Sequence, residues 1–306
     1  MSPAAERDGI VLSCPAKINL KLRVGPSRTD LGGRHRLDTI YSAVGIWDQV
    51  ELRRREPGSG FHLSLEGDHL GDLDRRDADP RANLAVRALL AMAQATGHQP
   101  DVAIHIVKRI PVGAGLAGGS TDAAGTMLGL NQLWNLGMPA AELDRIAARL
   151  GADLPFCLHG GLSKGTGFGQ ILQPLDLNGP KAQQLSQAGL TGHLLIGAYE
   201  DQLSTAQVYK AFDLIGSGPH DLNDLQETAC TLHPRSRQAL GLARRAGAGP
   251  AFVSGSGPSV VVMTPRPEQA ITLIRLWREQ NAVDRIIEAD SPVLPRMVPM
   301  RVTHEQ

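Results

Sequence analysis

The sequence has few cysteines, no excess of charge of either sign and no long apolar run. Three cysteines in 306 residues, Cys14, Cys157 and Cys230, favour reduced thiols in a cytoplasm over a disulfide framework. The 31 basic and 31 acidic residues cancel, so no overall field attracts nucleic acid or an anionic membrane. No apolar run reaches the roughly 18 residues of a membrane span, and the first eight residues lack the apolar segment of an export signal. We therefore expect a cytoplasmic protein whose partner is a small molecule, with no nucleic acid and no membrane partner.

Several common catalytic motifs are also missing. No G-x-x-x-x-G-K-[S/T] sequence occurs, which excludes the common P-loop. No H-E-x-x-H or C-x-x-C arrangement occurs, so zinc is not expected. The content of 42% hydrophobic and 20% charged residues is typical of an ordinary globular protein, and the length allows two domains.

What the sequence does contain is a glycine-rich stretch at residues 110–124, IPVGAGLAGGSTDAA. Alternating apolar residues at 102–106 predict a strand before it, and residues 120–134 predict a helix after it, with Ser120 or Thr121 as N-cap. Glycines let backbone N–H groups approach a ligand, and a helix N-terminus adds free donors and partial positive charge. This arrangement suits an anion, most often a phosphate.

Three interpretations of the glycine-rich stretch compete. It could be a turn that only packs a helix against a sheet. It could belong to a dinucleotide-binding fold, because residues 113–118 match G-x-G-x-x-G, but that fold needs a strand after the helix and residues 139–150 predict another helix. The third interpretation is the phosphate-binding loop of a kinase that is not of the Walker type.

Two further segments carry candidate chemistry. Residues 16–24 alternate apolar and polar side chains, which predicts a half-buried strand with Lys17 and Asn19 on one face. Periodicity alone leaves open whether that face is only solvated. Asp153 follows the predicted helix 139–150 and stands two residues before Pro155. It is either an Asx-type turn residue or a general base held on a bend that faces the glycine loop.

The remaining elements alternate irregularly between strands and helices, which indicates an α+β fold rather than a doubly wound sheet. In the first part we expect three strands at residues 37–44, 47–53 and 61–65. A surface loop is expected at residues 72–81 and a helix at residues 83–96. In the second part we expect strands at residues 193–199 and 296–302 and helices at residues 203–212, 234–246 and 267–280. A glycine loop that leads into a strand is expected at residues 252–263. The passage between the parts predicts an N-terminal domain at residues 1–163 and a C-terminal domain at residues 164–306.

Four motifs occur in order along the chain: P-A-K-I-N-L at 15–20, the glycine loop at 110–121, G-A-D-L-P-F at 151–156 and S-G-S-G-P at 254–258. Together they resemble the superfamily of galactokinase, homoserine kinase, mevalonate kinase and phosphomevalonate kinase. Within it, the chain is most similar to kinases of the non-mevalonate isoprenoid pathway that act on a cytidine diphosphate-linked methylerythritol. The resemblance implies a two-domain small-molecule kinase fold, α+β, with the active site in the interdomain cleft. It also implies transfer of the γ-phosphoryl group of ATP to the 2-hydroxyl of the methylerythritol unit.

The resemblance also implies roles for individual residues. Asp153 falls on the catalytic base and Lys17 on the catalytic lysine. Asn19, His35 and Tyr209 fall on substrate-binding positions, with His35 recognising the cytosine and Tyr209 stacking against it. The ATP-binding residues are expected to be Lys108 together with Pro111, Val112, Gly113, Ala114, Gly115, Leu116, Ala117, Gly118, Gly119, Ser120 and Thr121.

ATP and Mg²⁺ are the implied cofactors. Mg²⁺ is expected to bridge the phosphates with Ser120 as an oxygen ligand, although the sequence shows no dedicated cluster of metal-binding carboxylates. A monomer or a homodimer is expected. The alternatives are another kinase of the superfamily, such as homoserine or phosphomevalonate kinase, and a nucleotide-binding protein without catalysis.

The chain departs from the superfamily member it most resembles at three positions. Arg34 stands where a tyrosine is expected in the segment before His35. Ala117 replaces a loop glycine, and Phe168 occupies a position that is often charged. These differences concern the identity of the substrate more than the type of reaction.

Overall fold

Two long antiparallel strands run through the larger of two sheets. The computed structural model describes residues 9–28, 32–67, 70, 79–218 and 222–298. The strands in these ranges are β1 (Gly9–Arg28), β2 (Arg34–Arg54), β3 (His62–Glu66), β4 (Val102–Val107), β5 (Leu162–Thr166), β6 (Ile171–Pro174), β7 (Gly192–Ala198), β8 (Ala251–Val253), β9 (Val260–Met263), β10 (Arg285–Ser291) and β11 (Arg296–Val298). The α-helices are α1 (Leu84–Thr96), α2 (Gly118–Leu133), α3 (Ala140–Leu150), α4 (Leu154–His159), α5 (Pro180–Gln187), α6 (Thr205–Ile215), α7 (Gln226–Leu232), α8 (Pro234–Arg245) and α9 (Pro267–Glu279).

The strands form one sheet of seven strands and one of four. The larger sheet runs β11-β1-β2-β4-β3, with β5 paired to β2 and β6 paired to β5. Its only parallel pair among the described strands is β3 with β4. The smaller sheet runs β10-β7-β9-β8 and is antiparallel. Helices and antiparallel strands in this order confirm the predicted α+β class.

A register shift in β1 determines which of its side chains face the site. Ile10, Leu12 and Cys14 pack in the core beneath α1 and α2, whereas Ile18 and Leu20 belong to the core shared with the smaller sheet. The pairing of β1 with β2 is irregular between residues 15 and 16. Even-numbered residues before and after this irregularity enter different cores, so the two faces of β1 exchange there. The odd-numbered residues beyond the shift therefore take over the face that the helices cover.

Most elements expected from the sequence are present. Residues 37–44 and 47–53, predicted as two strands, are parts of the single strand β2, because the irregular pairing bends the ladder without ending it. The short helix α4 was not predicted, although Pro155 at its start is a common helix-opening residue. The predicted surface loop at 72–81 lies largely outside the described residues, as does the end of the predicted strand 296–302.

The predicted N-cap of α2 is wrong. The helix begins at Gly118, and its N-cap is Ala117, which has a left-handed backbone with φ 59° and makes no side-chain capping bond. Thr121 lies inside the first turns and donates its hydroxyl to the carbonyl oxygen of Pro15 at 3.0 Å. Since a left-handed residue costs least as glycine, this backbone explains why glycine would be the usual residue at position 117.

Strands from both parts of the sequence enter the larger sheet. The predicted boundary at residue 163 falls inside β5, and β6 follows it. Both strands extend the larger sheet from β2. β11 returns from the far end of the described chain to pair with β1. The division into domains at residues 1–163 and 164–306 therefore stays a prediction.

Candidate active site

A cavity of about 950 Å³ opens between β1, the glycine loop at residues 111–121, the start of α4 and α6. Most of the predicted site residues line it: Lys17, Asn19, His35, Lys108, Pro111, Val112, Gly113, Ala114, Gly115, Ala117, Gly118, Gly119, Ser120, Asp153 and Tyr209. Leu116 and Thr121 do not, because both side chains are fully buried in the protein. Their predicted role in ATP binding is therefore not supported at the level of the side chain.

Lys17 and Asp153 meet in this cavity. The Nζ atom of Lys17 lies 3.3 Å from Oδ2 of Asp153, and it also donates to Oδ1 of Asn19 at 2.9 Å. The Lys17 residue is 4% exposed, so its ammonium is not a solvated surface charge. The interpretation of this strand face as merely solvated is therefore wrong at residues 17 and 19, although Lys21 and Arg23 farther along β1 are exposed.

Asp153 stands at the junction of two helices. α3 ends at Leu150, and Asp153 is the N-cap position of α4 but makes no side-chain capping bond. Its carboxylate is thus not used by the backbone and is free to face the cavity. Beside it, the ring of Tyr41 stacks on Phe156 with centroids 5.0 Å apart. Burial raises the pKa of the Tyr41 hydroxyl well above its usual value, and the charge of Asp153 adds to the shift, so this neighbour stays protonated.

The glycine loop is fastened to β1 and to a second glycine loop at residues 254–258. The amide of Lys17 donates to the carbonyl of Leu116 at 3.0 Å, and the hydroxyl of Ser254 donates to the carbonyl of Gly115 at 3.1 Å. Gly115 has φ 78°, and a Cβ on it would overlap the carbonyl oxygen of Ser254. Only glycine fits this close approach of two backbones.

The second glycine loop reaches the Lys17–Asp153 pair itself. A Cβ on Gly255 would lie 3.2 Å from Oδ1 of Asn19 and 3.6 Å from Nζ of Lys17. Asn223 holds this loop from beneath by donating its Nδ2 to the carbonyls of Val253 and Gly255 at 2.8 and 2.7 Å. The motif at 254–258 is visible in the sequence, but nothing in its residue types alone indicates a place in the site. Its high glycine content was the signal for such a close approach.

Lys108 is held by two buried carboxylates. Its ammonium contacts Oδ2 of Asp48 and lies 2.6 Å from Oδ2 of Asp122. The other Asp48 oxygen accepts from the amides of Arg109 and Ile110 at 2.6 and 2.9 Å. Burial raises the pKa of Asp122 to about 8, against the opposing effect of the Lys108 ammonium. Lys108 therefore anchors the entry to the glycine loop, and its expected contact with ATP would have to compete with this pairing.

An aromatic group forms the other end of the cavity. His35 stacks on Tyr209 with centroids 5.0 Å apart, and the ring of Phe212 meets its edge at 6.1 Å. The Nδ1 atom of His35 lies 2.9 Å from the carbonyl of Gly25. Because a carbonyl only accepts, Nδ1 carries the proton, and in the neutral ring Nε2 is then an acceptor. Nε2 faces Asp213, whose Oδ1 lies 3.5 Å away.

Arg34 and Phe168, two of the three departures noted in the sequence, lie together. The guanidinium carbon of Arg34 lies 4.5 Å from the centroid of the Phe168 ring, and both residues line the cavity. The turn that carries Phe168 is tied to β2, because the amide of Leu37 donates to the carbonyl of Gly167 at 2.7 Å. The cavity wall therefore presents a planar cation supported by an aromatic ring.

Within the described ranges, no group of three or more histidine, cysteine, aspartate or glutamate residues is placed to hold a metal ion. No helix in the same ranges is long and apolar enough to cross a membrane.

The fold and the paired glycine loops define a class of small-molecule kinase. The family model described as "GHMP kinases N terminal domain" matches residues 83–161, and "GHMP kinases C terminal" matches residues 208–283. A crystal structure of homoserine kinase from Cytophaga hutchinsonii shares the fold with a TM-score of 0.71 at 18% identity, covering 97% of this chain and 100% of that one.

More similar relatives narrow the class. A 4-diphosphocytidyl-2-C-methyl-D-erythritol kinase of Bifidobacterium adolescentis is 54% identical, covering 96% of each chain, and that of Salinispora tropica is 36% identical, covering 88% and 87%. A crystal structure of 4-(cytidine 5'-diphospho)-2C-methyl-D-erythritol kinase matches with a TM-score of 0.72 at 27% identity, covering 93% of this chain and 100% of that one. The chain belongs to the family of 4-diphosphocytidyl-2-C-methyl-D-erythritol kinases, which confirms the resemblance seen in the motifs.

Proposed function

We propose that the protein transfers the γ-phosphoryl group of ATP to the 2-hydroxyl of 4-diphosphocytidyl-2-C-methyl-D-erythritol, in the non-mevalonate route to isoprenoid precursors. The observation that carries this proposal is the Lys17–Asp153 pair, 3.3 Å apart in a cavity whose wall is the glycine loop. The names of the relatives support the choice of substrate.

Asp153 acts as the general base. Its carboxylate accepts the proton of the 2-hydroxyl while the hydroxyl oxygen bonds to the γ-phosphorus, and the bond from that phosphorus to the bridging oxygen breaks to release ADP. Asp153 suits this role because no backbone group engages its side chain at the start of α4. Lys17 places its positive charge next to Asp153 and toward the transferring oxygens, where negative charge is concentrated in the transition state.

The glycine loop binds the phosphates of ATP. Gly118 and Gly119 begin α2, where free N–H groups and the helix dipole favour an anion. No atom would lie within 4 Å of a Cβ on Gly119, so the loop is open on this side. Mg²⁺ supplies further charge neutralisation when it is bound with the nucleotide. Ser120 lines the cavity, and its hydroxyl would be a protein oxygen that helps to hold the ion there.

The aromatic end of the cavity binds the cytosine. Tyr209 offers a ring face on which a base can stack, and His35 offers Nε2, the ring nitrogen that the carbonyl of Gly25 does not engage, to a polar group of the base. Asn19 retains one amide hydrogen and one oxygen lone pair for the substrate beyond its bonds to Lys17 and Thr39. The two ends of the cavity therefore bind the two ends of a substrate in which a nucleotide is linked to a polyol.

A coupled assay of ADP release with a substrate panel tests this function. We expect turnover of the cytidyl compound and none of homoserine or phosphomevalonate. We expect Asp153→Asn to lower kcat by about 10² to 10⁴-fold, the usual contribution of a general base. Turnover of homoserine in place of the cytidyl compound would contradict the substrate. ATP binding without transfer to any acceptor would favour a protein without catalysis.

A further inference from the structure

A chain of three hydrogen bonds leads from the catalytic pair into the sheet. The ammonium of Lys17 donates to Oδ1 of Asn19 at 2.9 Å, and Nδ2 of Asn19 donates to Oγ1 of Thr39 at 2.7 Å. The hydroxyl of Thr39 then donates to the carbonyl of Lys21 at 2.7 Å. Lys17, Asn19 and Thr39 are 4%, 3% and 1% exposed, so bulk water does not offer alternative partners.

The chemistry of the groups fixes the direction of every bond. An ammonium can only donate, so the Asn19 atom that faces it must be the amide oxygen. The amide nitrogen then points to Thr39, whose oxygen must accept. The Thr39 hydroxyl therefore donates its own hydrogen to the carbonyl of Lys21, which can only accept. Removing the hydroxyl of Thr39 would leave the Asn19 amide free to rotate and present its nitrogen to the ammonium.

An irregularity in the sheet makes this chain of bonds possible. Asn19 pairs with Tyr41, and Thr39 stands two residues from Tyr41 on the same face of β2. Between Asn19 and Lys21 the register of β1 shifts, because Asn19 faces Tyr41 whereas Lys21 faces Ile40. Shifts of this kind bend a strand and re-aim its groups, and here the carbonyl of Lys21 comes within reach of the Thr39 hydroxyl.

We propose that Thr39 is a positioning residue for the phosphoryl transfer. Its hydroxyl orients the amide of Asn19, and the oxygen of that amide holds the Lys17 ammonium beside Asp153 and the glycine loop. The inference rests on the proposed function, and it adds a residue that touches neither ATP nor the reacting atoms. Since the glycine loop is fastened to β1 through the backbone of Lys17, its geometry does not depend on the Thr39 hydroxyl.

Substitution of Thr39 by valine and by serine tests the proposal. Thr39→Val keeps the shape and removes the hydroxyl, whereas Thr39→Ser keeps the hydroxyl and removes only the methyl group. For Thr39→Val we expect kcat to fall about 10- to 100-fold, because a displaced catalytic group costs rate without weakening ground-state binding. The KM for ATP should stay within about twofold of wild type. Thr39→Ser should keep kcat within about threefold.

Several outcomes would overturn the proposal. These are a Val variant with wild-type kcat, Ser and Val variants with equal losses, and a rise in the KM for ATP in place of a fall in kcat. Thr39→Ala, which adds no bulk, repeats the comparison if the Val variant does not fold. Failure of both to fold, judged by thermal unfolding, would assign the hydroxyl to stability instead. Wild-type turnover of the cytidyl compound is measured first. If the wild type does not turn it over, that result counts against the proposed function alone, and in that case the variants are compared by their slow hydrolysis of ATP.

Discussion

The ammonium of Lys17 lies 3.3 Å from the carboxylate of Asp153, although β1 and the start of α4 are far apart in the sequence. Two groups that act together on one proton and one phosphoryl group are expected to lose their effects together. We predict that Lys17→Met lowers kcat by about 10²-fold or more, and that the double variant with Asp153→Asn is little slower than the slower single variant.

Initial rates of ADP release measure this coupling. Asp144→Asn is the matched control, because Asp144 pairs with His159 at 2.8 Å outside the cavity and should leave kcat unchanged. Losses that multiply in the double variant would show that the two residues act independently.

The close contact between the two glycine loops predicts that a methyl group added at Gly115 destabilises the protein, whereas one added at Gly119 does not. Gly115→Ala would force a Cβ against the Ser254 carbonyl and to 3.0 Å from the carbonyl of Gly257, at φ 78°. We expect it to lower the free energy of unfolding by about 2 kcal/mol or more. Gly119→Ala, four residues along, meets no atom within 4 Å and lies in a helix, so it should be neutral or stabilising by up to about 1 kcal/mol.

Urea unfolding of the two variants and the wild type, followed by circular dichroism, measures these differences. Equal stabilities of the two variants would mean that the loops separate easily and that their contact is not fixed in the folded protein.

The planar cation at Arg34 predicts a selective effect on the substrate. Loss of a stacking plane costs about 1–3 kcal/mol per base, so Arg34→Ala should raise the KM for the cytidyl compound about fivefold or more. Arg34→Lys should not restore it, because an ammonium has no plane. Steady-state kinetics with each substrate varied in turn measures the two KM values separately. The KM for ATP should not change. Arg36→Ala, on the same strand but outside the cavity, is the control. An unchanged KM in Arg34→Ala would exclude contact with the base.

Asp284 predicts a pH-dependent contribution to stability. Its hydrogen bonds with Arg235, at 2.6 and 3.1 Å, and with the amide of Glu200 lower the pKa of its carboxyl below the usual 3.8. A lowered pKa stabilises the folded state above the unfolded pKa, and this contribution is lost as the pH falls through the folded pKa. Asp284→Asn should therefore lower the free energy of unfolding by about 1 kcal/mol at every pH between 8 and 5. The difference from wild type should shrink only below about pH 4.

Thermal unfolding across that pH range checks the direction. Glu227→Gln is the comparison, because Glu227 forms the same kind of pair with Arg237 but at a more exposed place, so its effect should be smaller. A difference for Asp284→Asn that grew toward acid pH would contradict the sign.

Much of the fold could be predicted because its elements carry strong local signals. Helix α1 has Asn83 as N-cap and Gly97 in a left-handed C-cap, and both ends were placed correctly to within one residue. The start of α2 could not be predicted, because the chain caps it with a strained alanine and no polar side chain. Local preference predicts Ser120 or Thr121 as the N-cap, whereas Thr121 lies inside the helix and donates its hydroxyl to the carbonyl of Pro15.

The site was predictable in its parts but not in its connections. The motifs single out Lys17 and Asp153, which the structure brings together in the cavity, but no local pattern shows that Lys108 is shared by Asp48 and Asp122. Such pairs are formed by residues from different strands and helices, and their distances depend on the packed sheet. The same holds for Thr39, which reads in the sequence as one more β-branched strand residue.

The pairing of β11 with β1 has a consequence for the synthesis of the protein. Among the described residues, those that line the cavity lie before residue 258, yet the neighbour of β1 at residues 11–13 arrives only with residues 296–298. Until the ribosome has added that segment, strand β1, which carries Lys17, presents unpaired backbone groups along its outer edge. An exposed edge is a template for strands of other chains. A nascent chain that already contains these cavity residues is therefore still prone to aggregate, and β11 protects it.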